Sequence, residues 1–485
     1  MLFNSYIFIL LFLPLTWAVY FGLNSQKCFR GAQIALIIAS FVFYGFYNWT
    51  YLVLMSGSIV VNYAVAYIAH TVRRKCSITA GKVVIAVGII GNIGILFYYK
   101  YMNFFLENVN SMFHTDLKLR NIVLPLGISF YTFQQISFLI DTYKEDIIYH
   151  FGDYAEFVCF FPQLVAGPIV SHDLIEQFTD RSRRKVNFDF IARGLFLFST
   201  GLFKKIIIAD TFAKAASWGF SNIDIMSGID AVITMVAYTF QIYFDFSGYS
   251  DMAVGLASLF NIEIPYNFNA PYQSCSVTEF WKRWHITLTN FLTKYVYYPL
   301  GGGKRGKVRT YVNIMIVFLI SGLWHGANWT FIIWGVIHGA ANVINRIFSA
   351  AWNKIAKGIR WSLTFIFICV TWVVFRADTP KMALEFLLKV FSQHTLQVTP
   401  ELAGCFVLPE VDLLEWVFGI HQFSATNYVI MIIEIMMAFI LILRVQPFVT
   451  KRFCPTVSNM IGTIICLTWS VFSLADNSPF IYFGF

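Results

Sequence analysis

The sequence predicts an all-α, polytopic integral-membrane fold, read as one domain over residues 1–485, with about eleven transmembrane helices plus re-entrant and interfacial helices. Three observations predict it. The chain is 58% hydrophobic and only 13% charged, whereas a soluble domain carries about a quarter charged residues. Apolar segments long enough to cross a bilayer recur from end to end. The basic residues behind the net charge of +9 fall in short loops between those segments, which is the positive-inside pattern and not a nucleic-acid signal.

Taken in order, Ile7 to Leu23 lacks the basic leader and small-residue cleavage site of a signal peptide, so it reads as a retained first span. Lys27 and Arg30 follow it and place the N-terminus outside; Arg73, Arg74, Lys75 and Lys82 mark the next inner loop. A fourth span is expected near Val83 to Tyr99, then a polar outer loop from Glu107 to Lys118, then a fifth span from Ile122 to Ile140. Tyr154 to Val170 is apolar but broken by Pro162, Gly167 and Pro168. Both its flanks look cytosolic, the far one through Arg181, Arg183, Arg184 and Lys185, which suggests a re-entrant segment surrounded by protein or a water-filled cavity.

Phe188 to Gly201 and Ala231 to Leu259 supply further spans. The second carries Asp245 and Asp251, carboxylates that need a Lys or Arg partner at such depth. Ile264 to Leu300 is too polar to span and is expected at the cytosolic interface. The segment around residue 325 either crosses twice or enters and returns, with Gly322 and Gly326 permitting the break. Leu363 to Phe375, Tyr428 to Leu443 and Met460 to Leu474 complete the spans, and Lys381 to Phe391 is amphipathic. No internal repeat appears. The eight Cys are scattered without CxxC spacing or a His partner, so they are expected to be free, buried, small apolar residues, with no case for a metal or a disulfide framework.

His325 is the most informative side chain. It sits in Ser321-Gly322-Leu323-Trp324-His325-Gly326-Ala327-Asn328-Trp329, between two apolar runs, where an ionisable group is expensive. Desolvation disfavours an imidazolium, and a neutral ring can take a proton from a hydroxyl. Trp324 is expected to exclude water, and Asn328 to orient the ring or bind a developing oxyanion. His285, beside Arg283 and Trp284, reads equally as a functional group or an interfacial anchor, and His338 as a packing histidine. The loop Pro299 to Lys307 contains Gly301 to Gly303, Lys304 and Arg305. It could hold phosphates, although it matches no phosphate-loop pattern and a flexible positive-inside loop is the default reading.

The stretches FWKRWHITLTNFLTKYVYYPLGGGKRG (Phe280 to Gly306) and SGLWHGANWTFIIWGVIHG (Ser321 to Gly339) resemble the membrane-bound O-acyltransferase family. Within it they are most similar to the branch of alginate and peptidoglycan O-acetyltransferase membrane subunits. MLFNSYIFILLFLPL at the start, PLGISFYTFQQISFLIDTYK (Pro125 to Lys144), FFPQLVAGPI (Phe160 to Ile169) and VVFRADTPKMALEFL (Val373 to Leu387) agree, so the resemblance covers nearly the whole chain. The related D-alanyl transfer proteins share the RWH and WHG elements but lack the PLGG segment at Pro299 to Gly302, which favours acetyl transfer.

The resemblance implies a helical ring around a thinned centre, where a cytosolic funnel meets an outer one. It makes His325 the catalytic histidine and His285 the second histidine near the reaction path. It implies acetyl-CoA as donor substrate with no bound cofactor, its phosphates drawn by basic cytosolic loops. Trp324, Asn328, Arg283, Trp284, Asp251, Lys304 and Arg305 are the expected substrate-contacting residues.

The implied setting is the bacterial cytoplasmic (inner) membrane, with membrane lipid around the spans and no nucleic acid. An extracytoplasmic SGNH-type acetyltransferase partner and a polysaccharide acceptor are also implied. The aromatic C-terminus Ser478 to Phe485 resembles endings whose tyrosine accepts the acyl group, which makes Tyr482 a candidate relay, with an interfacial anchor as the simpler reading. D-alanyl transfer from a carrier protein to teichoic acid and a polytopic transporter are the alternatives. The transporter reading is weakened by the lack of inverted halves.

Overall fold

A computed structural model describes residues 1–485 except 47, 392–396, 409, 412–416, 418–423, 445–452, 475–479 and 482–485. Among the described residues the chain is helical throughout, with turns and short loops between helices and no strand. Six helices among the described residues are long and apolar enough to cross a membrane: Ile7–Ser25, Trp49–Lys75, Ile78–Phe113, Lys307–His325, Lys357–Arg376 and Thr426–Arg444. Phe29–Gly45 and Val457–Phe472 are shorter apolar helices. The all-helical membrane class therefore stands, with six spans meeting length and apolarity where about eleven crossings were expected. The chain divides into two compact units.

The first unit comprises Met1–Ser199, Ser250–Pro265 and Pro455–Ile464. Beside an apolar core, its helices bury polar residues and expose apolar ones. Val53, Val60, Val87 and Ile90 face outward, while Asn62, Asn92 and Gln135 are buried. Asn62 Nδ2 donates to Gln135 Oε1 at 2.6 Å, and Asn92 Nδ2 donates to Asn62 Oδ1 at 2.6 Å. Amide pairs of this kind tie helices together where lipid supplies no hydrophobic drive. Asn48 and Ser77 cap two of the spans by accepting from the Thr50 and Ala80 amides.

One expectation changes in this unit. The segment expected to leave the membrane near Tyr99 continues as helix through a π-helical turn, Phe97–Tyr101, to Phe113, so the outer loop begins later than Glu107. The broken apolar segment resolves into Phe151–Cys159 and Phe161–Leu164, with Pro162 in the first turn of the second piece. Gln134 and Gln163 both donate to the Phe157 carbonyl, which satisfies backbone freed by the break.

The second unit comprises Thr200–Tyr249, Tyr266–Cys454 and Ile465–Phe485. Its centre is a hairpin of Lys307–His325 and Trp329–Ile347, packed beside Lys357–Arg376. Each hairpin arm has 19 residues and is about 28 Å long. Gly322 lies inside the first arm, not at the break: a Cβ there would stand 2.4 Å from the Phe331 carbonyl oxygen, and one on Gly335 2.5 Å from the Phe318 carbonyl oxygen. These two glycines let the arms touch backbone to backbone, the small-residue packing common between membrane helices. The interfacial stretch forms the short helices Val277–Arg283 and Ile286–Leu292, followed by a π-helical turn, Thr293–Tyr297.

The cysteines only partly match expectation. Cys159, Cys275 and Cys369 are buried, but Cys28, Cys76 and Cys454 are exposed. The latter three sit at or beyond helix ends, where apolar side chains meet the surface.

Candidate active site

His325 is the last residue of its helix and 3% exposed. Three aromatic rings meet its imidazole edge to face: Trp324 at 5.0 Å between centroids, Trp334 at 5.2 Å and Phe375 at 5.2 Å. Trp334 comes from the opposite arm of the hairpin and Phe375 from the neighbouring helix. The result is a buried imidazole packed among aromatic rings.

His285 is fully buried in the turn between the two short helices, in the left-handed region with φ of 44°. A non-glycine residue there is uncommon and is held by its surroundings. The Asn267 backbone carbonyl accepts from the Ile286 amide at 2.9 Å. Asn267 Oδ1 accepts from Thr287 Oγ1 at 2.6 Å and lies 3.3 Å from His285 Nδ1. An oxygen that accepts on both sides requires Nδ1 to carry the proton, which leaves Nε2 as the acceptor nitrogen of His285. Burial pushes this imidazole down to about 3, so it is neutral at physiological pH.

The two histidines share one neighbour. The Trp324 ring lies 5.7 Å from His285 and 5.0 Å from His325. Residues 40 positions apart in two separate motifs are thus brought against one indole.

The other expected residues take different places. Trp284 is stacked on Phe280 at 5.4 Å and meets Trp372 at 5.0 Å, inside the aromatic core. Arg283 pairs with Glu279 at 2.8 Å and donates to the Asn269 carbonyl, which fixes the local turn. Asn328 caps the second arm by accepting from the Thr330 amide, and its Nδ2 donates to the Asp378 carbonyl at 2.8 Å. Its amide is occupied in joining backbone, which replaces the expected role beside the imidazole. Asp251 belongs to the first unit. Tyr482 lies outside the described residues.

Sequence reasoning did not single out Trp334, Phe375, Trp281 or Thr371, which complete the enclosure. Trp281 Nε1 donates to His338 Nδ1 at 3.1 Å. That bond makes Nδ1 an acceptor, so His338 Nε2 carries the proton toward Thr371 Oγ1 at 3.1 Å. Thr371 Oγ1 in turn donates to the Ile368 carbonyl. Trp281 meets Trp334 at 5.5 Å, so His338 holds a ring that backs the His325 enclosure. Replacing His338 with Leu leaves the buried Trp281 N–H without its acceptor, at a cost of about 1–3 kcal/mol. The expected result is a lower melting temperature of the detergent-solubilised protein, partly restored by His338→Gln; an unchanged melt contradicts the assignment.

A groove of about 610 Å³ is bordered by Lys282, Lys307 and Arg346, with Glu279 on its wall. A second cleft of about 320 Å³ shares Thr278, Lys282 and Arg346 with it and reaches Trp281, Phe318 and Ser321. Ser321 stands one helical turn before His325. Lys304 and Arg305 are exposed on the glycine loop and do not border the groove; Gly303 and Gly306 do. Gly301, Gly302 and Gly306 adopt positive φ, and Asn313 Nδ2 holds the Gly302 carbonyl at 3.0 Å, so the loop is a built turn.

Residues 82–376 match the family model described as MBOAT, membrane-bound O-acyltransferase family. This chain belongs to the membrane-bound O-acyltransferase family. Both histidine motifs and the hairpin lie within the matched residues. The acyltransferase is 43% identical over 419 residues to the peptidoglycan O-acetyltransferase of Helicobacter pylori, covering 80% of this chain and 79% of the relative. It is 39% identical to the probable alginate O-acetylase AlgI of Pseudomonas aeruginosa, covering 87% of this chain and 82% of the relative. To the teichoic acid D-alanyltransferase of Bacillus subtilis it is 26% identical, over 53% of this chain and 69% of the relative. The protein is thus a multi-pass membrane enzyme of O-acyl transfer, and the transporter alternative loses its basis.

Proposed function

We propose that this acyltransferase moves an acetyl group from cytosolic acetyl-CoA toward hydroxyls of a cell-envelope polysaccharide of the alginate or peptidoglycan type, in the bacterial inner membrane. The observation that carries the reading is that His285 and His325 both pack against the Trp324 ring, in the same unit as a basic groove that shares Thr278, Lys282 and Arg346 with an aromatic cleft reaching Ser321.

In the proposed chemistry, a hydroxyl oxygen attacks the thioester carbonyl. The C–O bond forms, the C–S bond breaks, and His325 passes the hydroxyl proton to the departing thiolate. Lys282, Lys307 and Arg346 hold the donor's phosphates, and the cleft takes its uncharged arm toward Ser321. The first acceptor is the Tyr482 hydroxyl or the serine of an extracytoplasmic SGNH-type partner, which completes transfer to the sugar. Acetyl transfer is favoured over D-alanyl transfer because the acetyl-transferring relatives are more similar over a much larger share of the chain.

Purified protein given labelled acetyl-CoA is expected to release CoA and pass label to an acceptor hydroxyl. Lys282→Ala with Arg346→Ala is expected to raise KM for the donor several-fold, to weaken its salt dependence, and to leave kcat near normal. Failure to turn over acetyl-CoA, alongside turnover of a D-alanyl carrier protein, would transfer the assignment to the alternative donor. For the relay, Tyr482→Phe keeps the aromatic anchor and removes the nucleophile; a normal transfer rate in that variant ends the relay reading.

A further inference from the structure

A buried ionic cluster in the second unit includes neither histidine. Lys205 is 2% exposed, and its Nζ lies 2.6 Å from Asp245 Oδ1 and 2.8 Å from Asp210 Oδ1. It sits on a π-helical turn, Lys204–Ala209, a local widening of the helix that often marks a functional position. Gly248 makes room for the approach: a Cβ there would stand 2.7 Å from the Gly201 carbonyl oxygen and 3.2 Å from Lys204 Cβ.

One ammonium here faces two carboxylates, and a buried carboxylate needs a donor for each oxygen. Asp245 uses Oδ1 for Lys205. Its Oδ2 accepts the backbone N–H of Ile481 at 2.9 Å, from 236 residues further along the chain. The preceding residue, Phe480, is 2% exposed. Its ring lies 5.1 Å from the Lys205 ammonium and 4.4 Å, edge to face, from Tyr249. Backbone, aromatic ring and charge thus converge on two consecutive tail residues.

We propose that Lys205 and Asp245 form a seat that captures the C-terminal tail through Phe480 and the Ile481 amide, and that they are positioning residues for Tyr482, the next residue in the chain. The seat stands on the contacts above; its consequence for transfer rests on the relay reading under Proposed function. The chemistry also accounts for retaining a costly ionic cluster where an apolar pair would pack as well. An apolar pair offers no acceptor for a backbone N–H and no cation for an aromatic face.

The test uses the full chain in detergent and measures tail release by carboxypeptidase digestion and by hydrogen exchange at Ile481. Lys205→Met with Asp245→Leu replaces the Lys205–Asp245 pair by apolar groups of similar volume and leaves Asp210 without its ammonium partner. Phe480→Ala attacks the seat from the tail side and leaves the ion pair intact. Both variants are expected to release the tail at least about tenfold faster than wild type, while hydrogen exchange in Lys307–His325 stays unchanged. Wild-type tail protection in either well-folded variant overturns the seat, and if the double variant fails to fold, Phe480→Ala decides alone. Released variants are also expected to lose kcat for transfer with donor KM preserved. Tail release with normal transfer leaves the seat standing and removes the Tyr482 relay, so the two ideas fail separately.

Discussion

Replacing His325 with Ala is expected to slow acyl transfer by roughly 10²- to 10⁴-fold, the range a positioned general base supplies. Donor KM should change little, because the basic groove lies outside the histidine's enclosure. The physical basis is the environment of the ring. Trp324, Trp334 and Phe375 pack against it at centroid distances near 5 Å, so the imidazole is buried among aromatic rings. The substitution also empties part of an aromatic core, and some loss of stability accompanies it. His325→Gln keeps more of the volume and cannot act as a base at neutral pH; it should melt closer to wild type while remaining as inactive as His325→Ala. CoA release and melting temperature, measured on the same preparations, separate the two effects. Wild-type turnover in either variant removes His325 from the chemistry.

The second large effect is structural. Gly322→Leu or Gly335→Leu should prevent accumulation of folded protein, and Gly322→Ala should lower the melting temperature. A Cβ at either site meets a backbone carbonyl at 2.4 or 2.5 Å, and a backbone carbonyl cannot swing aside as a side chain does. Overpacking costs about 1–3 kcal/mol even where side chains can adjust. Here relief requires the hairpin arms to separate, which also carries Trp334 away from His325. Gly358→Ala is the control, since nothing lies within 4 Å of its added Cβ; it should be neutral or slightly stabilising. Size-exclusion profiles and thermal melts of these variants test this directly. A Gly322→Leu protein that is monodisperse and melts like wild type shows that the arms do not meet at these glycines.

The candidate site is partly legible in the amino-acid sequence. His325 and His285 stand out because ionisable residues in apolar or amphipathic stretches need a reason to be there. Asn328 serves as a helix cap and not as a partner of the imidazole, and the signal for that is local: an Asn directly before a new apolar helical run is an N-cap pattern. Phe375 and Trp334 carry no local signal at all, since aromatic residues are abundant in this chain and nothing nearby distinguishes two that line a site. A basic partner for Asp245 is expected in kind, but its identity is not readable locally. Lys205 lies 40 residues away, and the third participant, the Ile481 amide, lies near the end of the chain.

The sequence by itself determined the membrane class, the apolar runs that become helices, and the two histidine motifs. These follow from hydropathy and residue type over windows of about twenty residues, which the bilayer reads directly. The tertiary structure alone decided that the two histidines share the Trp324 ring and that Trp334 and Phe375 close the enclosure. It also decided that Gly322 serves contact between helices and not a break, and that a buried lysine and aspartate meet Phe480 and the Ile481 amide. Each of these is a meeting of residues distant in the chain, fixed by which helix faces pack together. That choice depends on the summed fit of all the surfaces at once, and no local pattern encodes it.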